Sequence, residues 1–213
     1  MTPMTLYHAP GSRSVRVLWA LRELGLPHEV VERPLAEYVG DRSWREINPT
    51  GRLPFLVEGE LRLGESLAIL HHLFEVRAPG SVLWRDVGHA ERSPLLQWLH
   101  YSETVQVHVQ SLNQQLHFIR PPEARSAATV KLEVVRLKRA LDAVEPALSD
   151  RDFLLPGGFS AADIAMGYVV AVSQVFRPLD GQPRLQAYVR RLQERRAAAG
   201  LLDFPVAAAP VSL

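Results

Sequence analysis

The chain reads as an α/β domain followed by an all-helical domain, and three observations predict it. Short apolar or alternating runs at residues 5–8, 28–32, 55–57 and 61–63 are punctuated by Pro and Gly and interleaved with helical periodicities up to residue 76. A stretch with the composition of a linker follows, Arg77-Ala78-Pro79-Gly80-Ser81. From Glu91 onward every apolar pattern has the three-and-four spacing of a helix. The domains are accordingly placed at residues 1–80 and 88–213.

Taken in order, Thr5-Leu6-Tyr7-His8 is a strand stopped by Pro10-Gly11. Residues 14–24 form a helix with Val15, Leu18, Trp19 and Leu21 on one apolar face, ended by Gly25 with Pro27 just beyond. Residues 28–32 alternate weakly as a second strand, and Ser43-Trp44-Arg45-Glu46 has capping-box spacing for one helical turn. Phe55-Leu56-Val57 and Leu61-Arg62-Leu63 flank Glu58-Gly59-Glu60, a hairpin signal. A helix over residues 66–75 then turns Leu67, Leu70, Leu73 and Phe74 inward. The order is β-α-β-α-β-β-α, in which the opening β-α-β demands a parallel pair and the hairpin adds an antiparallel edge.

In the second half, residues 93–119 carry Leu95, Leu96, Trp98, Leu99, Val105, Val109, Leu112 and Leu116 until Pro121-Pro122 ends the helix. Residues 124–148 space Val130, Val134, Leu137, Leu141 and Val144 by three and four. Residues 160–176 are apolar nearly all round, the mark of a bundle's central helix. Ser160 and Asp163 form an S-x-x-D capping box at its head, a structural role. Residues 185–195 make a shorter amphipathic helix, followed by an Ala- and Pro-rich tail.

Composition removes several function classes. The net charge of +1 gives no reason to expect nucleic acid as a partner. The absence of cysteine excludes disulfides, thiolate metal sites and any thiol nucleophile of the protein's own. His71 and His72 point to different sides of a helix, and His100, His108 and His117 lack i, i+4 spacing, so no metal site is expected. The first seven residues lack a basic and an apolar region, which suggests no signal peptide and a cytoplasmic setting. The apolar stretch at 161–176 contains Asp163 and is too short to span a bilayer.

Two segments carry chemistry. Asn48-Pro49-Thr50-Gly51-Arg52-Leu53-Pro54-Phe55-Leu56 enters a strand through a proline, and Glu65-Ser66-Leu67-Ala68-Ile69 opens a helix on a carboxylate and a hydroxyl. A cis Leu53-Pro54 bond would leave the Leu53 N–H and C=O facing outward. A helix start attracts a carboxylate. A peptide-like ligand with its own amine and carboxylates suits that surface.

With the Leu6 to Val17 segment (Leu6-Tyr7-His8-Ala9-Pro10-Gly11-Ser12-Arg13-Ser14-Val15-Arg16-Val17) and Phe159-Ser160-Ala161-Ala162-Asp163, these motifs resemble the cytosolic glutathione transferases over nearly the whole chain. The first segment is most similar to the bacterial and fungal serine-type branch, as, less specifically, are Tyr101-Ser102-Glu103 and residues 185–195. The resemblance implies a thioredoxin-like N-terminal domain, a helical-bundle C-terminal domain, a homodimer and a detoxifying transferase. It implies no bound cofactor and no membrane, with glutathione as co-substrate and a small hydrophobic electrophile as its acceptor.

By the same resemblance Ser12 is the catalytic residue, donating a hydrogen bond to the glutathione sulfur, with Ser14 the fallback; read as residues alone, a helix cap is the commoner role for such a serine. Leu53, beside Pro54, would pair with the cysteinyl backbone of glutathione, and Arg52 would approach a carboxylate or simply face solvent. Arg42 is a further candidate for the glycyl carboxylate. Glu65 and Ser66 would take the γ-glutamyl end, the alternative being ordinary capping. The electrophile pocket is expected between the domains, with His8, Ala9, Tyr101, Val105 and Phe118 as lining candidates, and His108 and Phe176 behind them. The rival reading is a glutathione-transferase-like binding or interaction module without catalysis.

Overall fold

The computed structural model describes residues 3–212; Met1, Thr2 and Leu213, on which part of the reading of the two termini falls, lie outside the described residues. The chain divides into two compact units, one running to Arg92 and including Arg196–Leu201, the other comprising Ser93–Arg195 and the segment from Leu202 on.

The first unit is thioredoxin-like. Strands β1 (Met4–His8), β2 (His28–Glu32), β3 (Phe55–Glu58) and β4 (Leu61–Gly64) form one sheet in the order β2-β1-β3-β4. β1 runs parallel to β2 and antiparallel to β3, with Leu6 opposite Val30 on one side and Leu56 on the other. β3 and β4 form the expected hairpin. Helix α1 (Ser14–Glu23) makes the β-α-β connection, and Ser14 through Leu21 are all buried. It ends in a Schellman arrangement, with Leu26 N–H on Leu21 O (3.1 Å) and Gly25 N–H on Arg22 O (3.2 Å). That turn requires the left-handed φ of 59° at Gly25.

Two local expectations fail here. A short helix α2 (Leu35–Tyr38) stands where the sequence shows only connection, because four residues are too few to display a period. Helix α3 (Arg42–Ile47) is capped by Asp41, not by Ser43: the Asp41 carboxylate accepts from Ser43 N–H (2.9 Å) and Trp44 N–H (3.2 Å), and the Ser43 hydroxyl itself donates to Asp41 (2.7 Å). Asp is as good an N-cap as Ser, and here it lies two residues earlier in the chain. The reward of α3 is Trp44, fully buried against Tyr7 (4.9 Å between ring centroids), Tyr38 (5.0 Å) and Phe55 (5.7 Å). Each such ring pair adds about 0.5–1.5 kcal/mol beyond area burial. Ala9 and Leu53 belong to the same cluster, so the end of β1 and the loop before β3 share one anchor.

Helix α4 (Ser66–His71) widens into a π-helical turn over His72–Arg77. Arg196–Ala198 packs against α1 in this unit, where Arg22 Nη1 donates to Ala199 O at 3.1 Å.

The second unit is all-helical: α5 (Arg92–Asn113, beginning at the last residue of the first unit), α6 (Ala127–Asp142), α7 (Ala161–Ser173) and α8 (Pro183–Gln193). α6 starts three residues later than the periodicity suggested, because the Ser126 hydroxyl caps it by accepting from Thr129 N–H at 3.2 Å. Every residue of α7 is buried. The fully buried Asp163 carboxylate takes Leu154 N–H (2.9 Å) and the Tyr188 hydroxyl (3.0 Å) on one oxygen, and Ser160 N–H (2.8 Å) and the Ser160 hydroxyl (3.1 Å) on the other. The tail is tied down by Ala207 N–H on Gln174 O and Val211 N–H on Phe176 O, both at 2.8 Å. Among the described residues no helix is long and apolar enough to cross a membrane.

Candidate active site

β1 ends at His8, and the chain turns through Pro10-Gly11 into α1, with Ser12 N–H on Ala9 O at 3.1 Å. Gly11 supplies the φ of 76° that this turn needs. The residue preceding α1 is Arg13, which makes no side-chain cap. Ser12 is partly exposed; its hydroxyl accepts weakly from Ser14 N–H at 3.3 Å and sits 2.6 Å from Ser14 Oγ. Ser14 is fully buried, with its Oγ 2.7 Å from His8 Nδ1, 3.2 Å from Ala9 N–H and 3.3 Å from Ala9 O. Of the two candidate serines, Ser12 is partly exposed and Ser14 is fully buried.

His8 is buried, and its Nε2 lies 3.8 Å from Glu32 of β2. Burial pushes its pKa below the ordinary histidine value; Glu32 opposes that and the Arg22 charge adds to it. The ring therefore favours its neutral form. The Tyr38 hydroxyl bonds to Val31 O (2.9 Å) and reaches the His8 carbonyl (3.4 Å).

The Leu53-Pro54 bond is cis. The loop before it is held by Asn48, buried, whose Nδ2 donates to Arg52 O (2.7 Å) and whose Oδ1 accepts from Thr50 N–H (3.1 Å) and the Thr50 hydroxyl (2.8 Å). The Leu53 side chain is buried in the Trp44 cluster, while its N–H and C=O have no hydrogen-bond partner among the described residues. Arg52 is exposed, as is Arg42 at the first position of α3.

Glu65 adopts φ 63°, the only non-glycine among the described residues with positive φ. Such a backbone costs about 1–3 kcal/mol and collects at ligand sites. Its side chain is exposed, 3.8 Å from Arg13. Ser66 is buried, and its hydroxyl accepts from Arg16 Nη1 at 3.2 Å. Arg16 is fully buried in the first turn of α1 and reaches Ser66 at the start of α4, while Ser12 and Arg13, just ahead of the helix, are partly exposed. The three sequence-predicted segments, Ser12, Leu53-Pro54 and Glu65-Ser66, thus lie in one unit, joined by the Ala9–Leu53 cluster and the Arg13 and Arg16 contacts.

Sequence reasoning missed Arg13 and Arg16. The available signal was an arginine set between Val15 and Val17 on a helix otherwise turned inward. The pocket candidates are placed in both units. His8 and Ala9 are buried at the end of β1. On α5, Val105 is fully buried, Tyr101 donates its hydroxyl to Ala140 O (3.1 Å), and burial pushes the Tyr101 pKa up. Phe118 is half exposed just beyond α5, Phe176 is buried, and His108 is bonded to Glu133 at 2.7 Å.

Comparison with known proteins identifies the family to which this pairing of a thioredoxin-like unit and a helical one belongs. Residues 6–81 match the glutathione S-transferase N-terminal domain and residues 111–196 the glutathione S-transferase C-terminal domain. The chain is 30% identical over 217 residues to glutathione S-transferase 3 of Zea mays, covering 99% of this chain and 96% of that protein. It is 28% identical over 212 residues to the glutathione S-transferase-like protein tpcF of Aspergillus fumigatus, covering 91% and 92%. In fold it is similar to a glutathione transferase homolog from Lodderomyces elongisporus solved with two glutathione molecules per subunit (TM-score 0.83, 21% identity, 96% and 100% covered). The chain belongs to the glutathione S-transferase family and is an enzyme of that family.

Proposed function

We propose that the chain binds glutathione on Ser12, Leu53-Pro54 and Glu65-Ser66 and conjugates its thiolate to small hydrophobic electrophiles, in the manner of the serine-type branch. The observation that carries this is the Ser12 hydroxyl, partly exposed at the end of β1 in the unit that also holds an unpaired Leu53 peptide and the Ser66 hydroxyl. The Leu53 N–H and C=O are free to pair with a peptide backbone, and the Ser66 hydroxyl, which accepts from Arg16, keeps its own proton to donate to a ligand carboxylate. Arg13 and Arg52 add positive charge for an anionic tripeptide, and Glu65 offers an acceptor for its amine.

The chemistry follows from the thiol. Its S–H bond breaks, the proton passing to a base of the site or to solvent, to give a thiolate that accepts a hydrogen bond from Ser12, and the sulfur lone pair forms the new S–C bond as the electrophile's leaving group departs with its electron pair. With no cysteine, the protein has no thiol of its own to form a mixed disulfide. The identity of the electrophile, and any hydroperoxide reduction by the same thiolate, belong to the acceptor side of the site. The reading includes a cytoplasmic homodimer, on the strength of the family resemblance.

Retention on immobilised glutathione with turnover of a generic aryl halide, both in the wild type, tests the reading. Binding without turnover across a panel of electrophiles would favour the non-catalytic module instead.

A further inference from the structure

We propose that Ser12, Ser14 and His8 form a proton wire that carries the proton of a thiol bound at Ser12 to His8 Nδ1, so that His8 and Ser14 act as positioning residues for thiolate formation. The inference rests on the reading of Ser12 as the residue facing the glutathione sulfur.

Counting protons leads there. A serine hydroxyl has one proton to donate and two lone pairs to accept with. Ser14 Oγ has four neighbours: Ala9 N–H (3.2 Å), which only donates, Ala9 O (3.3 Å), which only accepts and is the longest, His8 Nδ1 (2.7 Å) and Ser12 Oγ (2.6 Å). The two short contacts each need a proton between the heavy atoms, because facing lone pairs at such distances repel. Ala9 N–H occupies one Ser14 lone pair, which leaves one lone pair and one proton for both short bonds. Only two arrangements satisfy this. Either Ser12 donates to Ser14 and Ser14 to a bare His8 Nδ1, or a protonated His8 Nδ1 donates to Ser14 and Ser14 to Ser12.

The two arrangements differ in what Ser12 shows to a ligand. In the first its lone pair is outward, able to accept from S–H. In the second its proton is outward, able to donate to S⁻. Moving between them is one concerted shift: the thiol proton passes to Ser12 Oγ, the Ser12 proton to Ser14 Oγ and the Ser14 proton to His8 Nδ1. The thiol loses one proton and the imidazole gains one, and no other group changes charge.

The surroundings of His8 fit the role of terminus. Glu32 on β2 faces Nε2 at 3.8 Å, so its charge favours a proton on Nε2 in both arrangements and leaves Nδ1 as the atom that titrates. Arg22 on α1 opposes a charged ring, and from α2 the Tyr38 hydroxyl meets only the His8 carbonyl. Burial keeps the resting ring neutral and so leaves Nδ1 bare to accept, while it disfavours the imidazolium formed on transfer, a cost that the Glu32 charge partly offsets. Ser14 is fully buried, so its hydroxyl is shielded from solvent.

Proton counting tests the wire directly. Reduced glutathione is added to protein in weak buffer near pH 6.5; ultraviolet absorbance reports thiolate formed and a dye reports protons released, with S-methylglutathione, which has no ionisable thiol, as the baseline. The wild type is expected to release well under one proton per thiolate. Ser14→Ala, which removes the middle of the wire and leaves Ser12 in place, is expected to release one. Its thiolate midpoint should rise by about one pH unit and kcat/KM fall about tenfold below that midpoint, with KM for glutathione within about twofold. Glu32→Gln, at an exposed side chain, should move the midpoint in the same direction by less. Equal proton release in wild type and Ser14→Ala, or an unmoved midpoint, overturns the wire while leaving the glutathione site standing. Failure of the wild type to bind either glutathione or S-methylglutathione overturns the underlying reading instead.

Discussion

Two buried polar clusters begin helices in this chain, one at Ser14 of α1 and one at Asp163 of α7. At Asp163 four donors close on two carboxylate oxygens, and every partner is buried or backbone: Leu154, Ser160 and Tyr188. At Ser14 a single hydroxyl also has four neighbours, but one of them, Ser12, is partly exposed and its own hydroxyl has capacity left over. A network whose members are all satisfied internally fixes a helix in the core; one that ends on an outward hydroxyl can do chemistry. The clusters differ in centre, a carboxylate against a hydroxyl, and in where the last partner faces.

The largest break in that comparison is Asp163→Ala. It strands the Leu154 and Ser160 N–H groups and the Tyr188 hydroxyl without an acceptor, which should cost about 3–5 kcal/mol of unfolding free energy. Chemical denaturation should register this as a lowered midpoint in whatever protein folds, and catalytic constants of the folded fraction should be unchanged. A closed cluster predicts that split; lost turnover in a fully folded variant would contradict it.

A second measurement reads the same cluster through pH. Burial raises the Asp163 pKa from 3.8 to about 6, against the pull of its four donors. Between those values the folded state binds more protons than the unfolded chain, so stability falls as pH rises through the window. Relative to Asp163→Asn, which cannot ionise, the wild type should lose roughly 3 kcal/mol between pH 3.8 and 6 and then level off. Urea midpoints of both proteins across that range give the difference; parallel curves would mean the carboxyl is no more burdened by burial than a surface acid. Tyr188, pushed well above its ordinary value by burial and by Asp163, titrates outside the window.

The closed cluster was legible in the sequence and the open one only in part. Ser160 and Asp163 stand at capping-box spacing ahead of an apolar run, so local sequence shows the cluster except for Leu154, nine residues away, and Tyr188, 25 residues away. The four strands, the hairpin and the long helices were readable for the same reason: their periods repeat over enough residues to register. α2 was not, and the Asp41 cap was passed over because Ser43 offered a competing capping pattern two residues on. At the open cluster the sequence showed Ser12, Leu53-Pro54 and Glu65-Ser66 as separate motifs. That Arg16 reaches Ser66 across 50 residues, and that His8 backs Ser14, depends on α1 lying against both β1 and α4, which no local spacing encodes.

Ser12→Ala tests the open end. Loss of one preorganised donor to a developing or resident anion typically costs about a hundredfold, so kcat/KM for an aryl halide should fall by about that factor. Glutathione binding should persist through Leu53 and Ser66. A variant with undiminished turnover at every pH would move the sulfur's donor elsewhere in the site.

The smallest effect separates catalysis from capping at Ser12. Ser126 is an ordinary N-cap, its hydroxyl 3.2 Å from Thr129 N–H, and Ser126→Ala should destabilise the protein by about 1 kcal/mol without touching turnover. Ser12 makes a comparable local bond, to Ser14 N–H at 3.3 Å, but Arg13 stands between it and the first turn of α1. If Ser12 served as a cap, Ser12→Ala would match Ser126→Ala in urea midpoint. The geometry predicts a smaller loss of stability than Ser126→Ala together with the larger loss of rate, because the hydroxyl's strong partner is Ser14 Oγ and its remaining capacity faces outward. Measured side by side, the two alanine variants show whether a pre-helical serine is holding a helix or holding a sulfur.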